Sequence, residues 1–260
     1  MMDYQERLVC FIDLLGFQSA IDQSLHDGKV IEALYRVIHT LKEHTLKKGI
    51  YGTIPVFLAH PDKPFQLASD VYGENIIDEL SELFSLDITQ FSDSLVISCP
   101  SSDSGSCLLL LKCIYFIKIM VFYNLGMMLR GGIALGKLIH EEGGALFGPA
   151  MNEAYYIESK LANYPRVLIS ENAYDHLIKS NEDHPLLKPI FASNDDYKVF
   201  DLISVFECSE IKIKFELEQL KAIEQDILEN SEKAYPKIKY LLDRWEQKQK
   251  EVDSQVLQWI

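Results

Sequence analysis

Leu8-Val9-Cys10-Phe11-Ile12 is an unbroken apolar run, and it ends in Asp13. A run this short, rich in branched and aromatic side chains, predicts a strand buried on both faces. A carboxylate at the mouth of such a strand stays ionised where a cation neutralises it. Leu14-Leu15-Gly16-Phe17 follows as a short turn, and a helix is expected from near Ser19. Backbone N–H groups in a turn of this kind, narrow at Gly16, are free to hold phosphate. The stretch therefore reads as half of a metal–triphosphate site, and the other half must come from elsewhere in the chain.

Composition narrows the ligand. The chain has 260 residues, 48% of them hydrophobic, with 13 Phe and 13 Tyr, enough for one generous domain or a domain with a helical tail. The net charge of −14 argues against a nucleic-acid backbone or an anionic membrane as the main partner. A small phosphorylated ligand stays open, because a bound divalent cation reverses the local sign. Five cysteines without a CxxC spacing suggest neither a zinc site nor a disulfide framework, and a reduced cytoplasm fits them. The stretch Met1 to Arg7 is polar, unlike a signal peptide. Cys107 to Leu125 is apolar enough to resemble a membrane span, but Lys112 and Lys118 interrupt it, so a core helix is expected.

Further along, Ser19 to Gly49 reads as one helix, with Val30, Leu34, Val37 and Leu41 at helical spacing. Residues 50–74 read as an irregular insertion around Pro55, Pro61 and Pro64, with one strand near Val56-Phe57-Leu58, and a short helix follows from Asn75 to Phe84. Leu86 to Phe91 and Leu95 to Cys99, separated by Ser92-Asp93-Ser94, predict a hairpin with Asp93 at its tip. Taken alone, Asp93 is an ordinary turn residue. The helix Ser104 to Leu125 leads to a strand, Met127 to Ile139, that contains Arg130-Gly131-Gly132. A helix from Ala150 to Asn163, a strand Arg166 to Ile169, a helix Glu171 to Lys179 and a strand Tyr197 to Val205 complete the domain. From Ile211 the composition turns to Glu, Lys, Gln and Leu, which predicts two amphipathic helices, Phe215 to Glu229 and Lys237 to Gln255, parted at Pro236. The fold class is α+β, a βαββαβ sandwich with additions: a domain over 1–206 and a helical extension over 207–260. The seven histidines show no ligand spacing and read as solvated, His140 among them.

If the strands carrying Asp13 and Asp93 are neighbours, both carboxylates reach one sheet edge. They would then repel unless divalent metal sits between them. These residues resemble class III nucleotidyl cyclases, whose core is this ferredoxin-like sandwich. Phe11 to Phe17 is similar to the first metal strand of that family, and Phe91-Ser92-Asp93-Ser94 to its second metal hairpin. Arg130-Gly131-Gly132-Ile133-Ala134-Leu135-Gly136, Phe147-Gly148-Pro149-Ala150-Met151-Asn152-Glu153-Ala154 and Tyr164-Pro165-Arg166-Val167 resemble the bacterial pyrimidine cyclases of anti-phage Pycsar systems. The resemblance implies two Mg²⁺ or Mn²⁺ ions held by Asp13, Asp93 and the Leu14 carbonyl. It further implies a triphosphate on the turn through Leu14, Leu15, Gly16 and Phe17, a ribose oriented by Asn152, and a head-to-tail homodimer with its sites at the interface.

Where many family members carry a transition-state arginine, this chain has Tyr156, a neutral donor. Either Arg130, Arg166 or Lys188 stands in, or turnover is slow. The adenine readers of adenylate cyclases are replaced by Thr89 and Ala145, which fits a smaller base such as uracil or cytosine; both are also ordinary strand and turn residues. Arg130 and Glu158 read equally as ion-pair partners, and Asn152 as a helix cap. The expected activity is a cytoplasmic conversion of UTP or CTP to its 3′,5′-cyclic nucleotide as an immune signal. A catalytically weak nucleotide sensor and a protein-interaction module are the alternatives.

Overall fold

The computed structural model describes residues 3–42, 45–52, 76–141, 143–181, 187, 191–194, 197–200, 210–230 and 234–257. Its centre is β1 (Gln5–Leu15). Both neighbours of β1 are antiparallel: β3 (Ser94–Pro100) on one side and β4 (Met128–His140) on the other. β2 (Asp87–Phe91) closes the hairpin with β3. Beyond β4 the sheet continues through β6 (Val167–Ile169), parallel to it, and then β8 (Tyr197–Phe200) and β7 (Phe191–Asn194), while β5 (Leu146–Phe147) pairs only with β4. The fold is mixed α+β, as the sequence predicts, and β7 is a strand that the sequence reading misses.

Alternation along β1 divides two cores. Leu8, Cys10, Ile12 and Leu14 face a large cluster. Val9 and Phe11 face a smaller one with Val96, Ala134 and Leu168. A strand covered on both sides has no polar face to show, which is why its sequence reads as continuous apolar residues.

The large cluster is covered by α1 (Phe17–Ser24), α2 (Gly28–Thr40), α3 (residues 45–52), α4 (Ile76–Leu83) and α5 (Ser104–Leu125). The single helix expected over Ser19 to Gly49 is thus three. Asp27, in extended backbone, accepts a hydrogen bond from the Lys29 N–H and starts α2 afresh, an N-cap that breaks the run before it. Ile50 and Tyr51, expected in the insertion, lie in α3 and are buried. The strand expected near Val56-Phe57-Leu58 lies outside the described residues. α5 begins at Asp103, whose carboxylate accepts from the Ser106 N–H, and ends at Gly126 in the left-handed conformation. The helix is long and apolar enough to cross a membrane, and the sheet buries most of it instead. Burial pushes Lys112 down to about 8.

On the opposite face lies α6 (Pro149–Tyr156), with Pro149 in its first turn, continued by a π-helical turn over Ile157–Leu161. The ordinary helix expected as far as Asn163 therefore widens after Tyr156. Gly132 permits this layer: a Cβ there would stand 2.2 Å from the Ala154 carbonyl oxygen and 2.8 Å from Ile157 Cβ. α7 (Glu171–Ser180) follows β6. The C-terminal helices α8 (Glu210–Asn230) and α9 (Tyr235–Leu257) start earlier than expected, and Pro236 lies in the first turn of α9, where its missing N–H costs little. Leu217, Leu220, Ile238, Leu242 and Trp245 pack on Phe122 of α5. Glu216, fully buried, accepts from Lys118 at 3.0 Å and from the Tyr123 hydroxyl at 2.8 Å. The lysine that interrupts the apolar helix is thus a docking point for the extension.

Replacing Gly132 with alanine is expected to lower stability by about 1–3 kcal/mol or more, because the obstacle is helix backbone. A urea unfolding midpoint unchanged from wild type would contradict this account of the α6 contact.

Candidate active site

The strand register places the two predicted acids together. Asp13 lies opposite Ser94 on β3, and the Leu14 N–H donates to the Asp93 carbonyl oxygen at 3.1 Å. The Asp93 carbonyl is thus bonded to the residue that follows Asp13, at the same end of neighbouring strands. Ser92, with φ 55°, makes the tight hairpin that carries Asp93 there. Each acid is only partly buried.

The turn after Asp13 differs from expectation. β1 runs on to Leu15, so Leu14 and Leu15 are strand residues and the Leu14 N–H is already committed to Asp93. The turn itself is Gly16, in the left-handed conformation at φ 96°, and α1 begins at Phe17, ahead of Ser19. The Ala20 N–H closes the first helical bond onto the Gly16 carbonyl. This leaves the N–H groups of Phe17, Gln18 and Ser19 as the first-turn donors of a helix, with no side chain capping them. Such donors suit an anion.

On the other side of β1, Asp13 lies opposite Arg130. The guanidinium Nε of Arg130 stands 3.1 Å from Asp13 Oδ2 and 2.6 Å from Glu158 Oε1. Glu158 comes from the π-helical turn and is 2% exposed. Burial pushes its carboxyl up to about 7, with Arg130 opposing and Asp13 reinforcing. The ion-pair reading of Arg130 and Glu158 therefore describes this chain. The arrangement places a cation against Asp13.

Asn152 and Tyr156 are elsewhere. The inward residues of α6 are Ala150 and Ala154, and Asn152, Tyr155 and Tyr156 are exposed. Asn152 is no cap: Gly148 holds that position and accepts from the Asn152 N–H at 3.2 Å. Among the described residues no hydrogen bond or ion pair joins Asn152 or Tyr156 to Asp13 or Asp93. Arg166 is buried at the start of β6, outside this cluster, and Lys188 lies outside the described residues.

Thr89 faces the same side of the sheet as Asp13, on the edge strand β2. Its hydroxyl is 2.9 Å from His140 Nε2. The Nδ1 of His140 is 2.9 Å from the Ser98 hydroxyl, which accepts from Arg7 Nε at 2.9 Å. Arg7 also pairs with Asp87. The expectation of a solvated His140 is wrong: it is buried, and burial pushes it down to about 4, helped by Arg7 and opposed by Asp87. The signal for this network was present in the sequence as Arg7, Ser98 and His140, polar residues in phase with the inward positions of apolar strands.

The donor set at Asp13 and Asp93 is hard oxygen, which fits Mg²⁺ or Mn²⁺. Among the described residues no group of three or more His, Cys, Asp or Glu side chains forms a metal site, so further ligands would have to be backbone, water or phosphate oxygens.

No protein-family model matches the chain, and no curated protein matches it. Solved structures do. The adenylyl cyclase CyaB from P. aeruginosa is similar at 16% identity and a TM-score of 0.44, over 76% of this chain and 95% of that one. A bacterial light-regulated adenylyl cyclase is similar at 14% identity and a TM-score of 0.41, over 84% and 100%. The adenylate/guanylate cyclase/hydrolase from Silicibacter pomeroyi is similar at 13% identity and a TM-score of 0.39, over 76% and 95%.

A buried carboxyl held up to about 7 keeps a proton that the unfolded chain releases near 4.5. Glu158 thus makes the folded state lose stability as pH rises from about 4.5 to about 7. Glu158→Gln is expected to flatten that part of the profile, read as urea midpoints between about pH 5 and about pH 8. Identical slopes in wild type and variant would rule out the assignment.

Proposed function

We propose that the chain is a metal-dependent nucleotide cyclase converting UTP or CTP to the 3′,5′-cyclic nucleotide and pyrophosphate. The observation that carries this reading is the convergence of Asp13 and Asp93 beside the uncapped first turn of α1. Two hard-oxygen acids next to an anion-binding helix start suit a metal-bound triphosphate. The ordered motifs from Phe11 to Val167 and their resemblance to Pycsar pyrimidine cyclases support the substrate class and a role as a cytoplasmic signal generator against phage.

The first-turn N–H groups of Phe17, Gln18 and Ser19 bind the outer phosphates. Asp13, Asp93 and the Leu14 carbonyl would hold two divalent ions, whose chemistry would be to neutralise charge at the leaving pyrophosphate and to make the ribose 3′-hydroxyl that attacks the α-phosphorus more acidic. Arg130 then has a phosphate oxygen as an alternative to Asp13, with Glu158 keeping its guanidinium in reach. Asn152 and Tyr156, four residues apart on the outer side of α6, act on the partner's substrate, one on the ribose and one on the phosphate. A head-to-tail dimer is further supported by the exposed Phe91, Phe147, Tyr155 and Tyr156.

A second reading is a nucleotide sensor with little turnover. It is favoured by Tyr156, a neutral and exposed side chain in place of a cation.

Purified protein with Mn²⁺ is expected to release pyrophosphate and a cyclic product from UTP or CTP. Binding without turnover of any of the four triphosphates would favour the sensor. Asp13→Ala and Asn152→Ala should each be inactive alone. Mixed in equal amounts, they should recover about a quarter of wild-type activity, because half of the dimers then hold one intact site. No recovery would exclude a site shared between protomers.

A further inference from the structure

A cleft of about 580 Å³ runs between α1 and the C-terminal extension. Leu15, Gly16 and Ser19 line it from the end of β1 and the start of α1, Ile223 from α8, and Lys237 from the first turn of α9. Packing brings the extension here. Ile238, next to Lys237, is fully buried in the cluster that rests on Phe122. Met128 packs against that cluster and stands opposite Leu15, the residue before Gly16. The start of α9 and the end of β1 that carries Asp13 thus face one cleft.

The charge of this cleft is unlike that of the chain. The sequence holds 39 Asp and Glu against 25 Lys and Arg, yet among the described residues no acid lines the cleft and Lys237 is its one cation. No ion pair or hydrogen bond among the described residues takes up the Lys237 ammonium. The carbonyl end of α5 at Gly126 borders the cleft and adds a partial negative charge, which only a full positive charge overrides. An acid-free cleft with an uncommitted ammonium suits an anion. The cleft adjoins the N–H groups of Phe17, Gln18 and Ser19, assigned above to the outer phosphates, and Ser19 belongs to both. A cation is also wanted there, because Arg130 is shared by Asp13 and Glu158 and Tyr156 is neutral.

We propose that Lys237 is a substrate-binding residue, pairing with the terminal phosphate of a triphosphate held at the α1 turn of the same chain. The extension is then a wall of the substrate cleft and not a tail on a finished domain. The inference rests on the triphosphate site of the reading above but not on cyclisation, so its test uses a probe that cannot cyclise.

Inorganic tripolyphosphate with Mn²⁺, titrated calorimetrically into the full chain, is expected to bind Lys237→Met at least about tenfold more weakly than wild type, the loss of one charge-assisted contact. Lys237→Arg should stay within about threefold of wild type, and both variants should keep the wild-type urea midpoint. UMP and CMP, which lack the outer phosphates, should bind wild type and Lys237→Met alike. Unchanged tripolyphosphate affinity in Lys237→Met, a loss that Lys237→Arg does not restore, or an equal loss for UMP and CMP overturns this inference alone. Binding that depends on Lys237, without turnover of any triphosphate, upholds it and overturns the cyclase reading. No tripolyphosphate binding by wild type overturns the assignment together with the phosphate site on which it rests.

Discussion

The site depends on the register of β1 between its two antiparallel neighbours. Asp13 stands opposite Ser94 on one side and Arg130 on the other. Side chains alternate with a period of two, so a one-residue slip would turn Asp13 into the large core and bring Ile12 to the site. Leu8, Cys10, Ile12 and Leu14 forbid that slip by filling the large cluster, while Val9 and Phe11 fill the smaller one. Once the register is set, the hairpin tip delivers Asp93 and β4 delivers Arg130 without further adjustment. Gly132, two positions beyond Arg130, then decides how close α6 can lie.

Electrostatics near Asp13 are arranged around one cation shared by two acids. The guanidinium of Arg130 reaches both Asp13 and Glu158, and Glu158 is nearly inaccessible to water. When ionised, so buried a carboxylate keeps Arg130 in place, because separating them would leave an uncompensated charge in low dielectric. The π-helical turn contributes here by burying both Ile157 and Glu158 where α6 ends. Such widened turns recur at functional sites. The chain carries a net charge of −14, so an anionic ligand is acceptable only where local cations reverse the sign.

Strongly patterned elements were legible in the sequence. The apolar run of β1, the hairpin with Asp93 at its tip, the α5 helix and the β4 strand all lie within a few residues of their expected bounds. The readings that failed depend on local choices with several acceptable answers. Asp27 caps a new helix in what reads as one periodic segment, and Pro236, expected just ahead of the second C-terminal helix, lies in its first turn. His140 reads as solvated when taken alone, because its phase with the inward positions of β4 means burial only beside Arg7 and Ser98. Its neighbours Ser98 and Thr89 come from strands about forty and fifty residues away.

By itself, the sequence determined the strongly patterned elements, β1, the Asp93 hairpin, α5 and β4, since hydrophobic period and capping are local properties. It also supplied the chemistry: two acids at the ends of apolar runs, a glycine turn, and Tyr156 at a place where the family resemblance implies an arginine. Only the tertiary structure decided which groups meet. It joined Arg130 to both Asp13 and Glu158, took the Leu14 N–H for Asp93, turned Asn152 and Tyr156 outward, and buried His140 between Ser98 and Thr89. The reason is that these pairings are set by strand register and helix packing, which act between residues far apart in the chain and leave no mark in any local window.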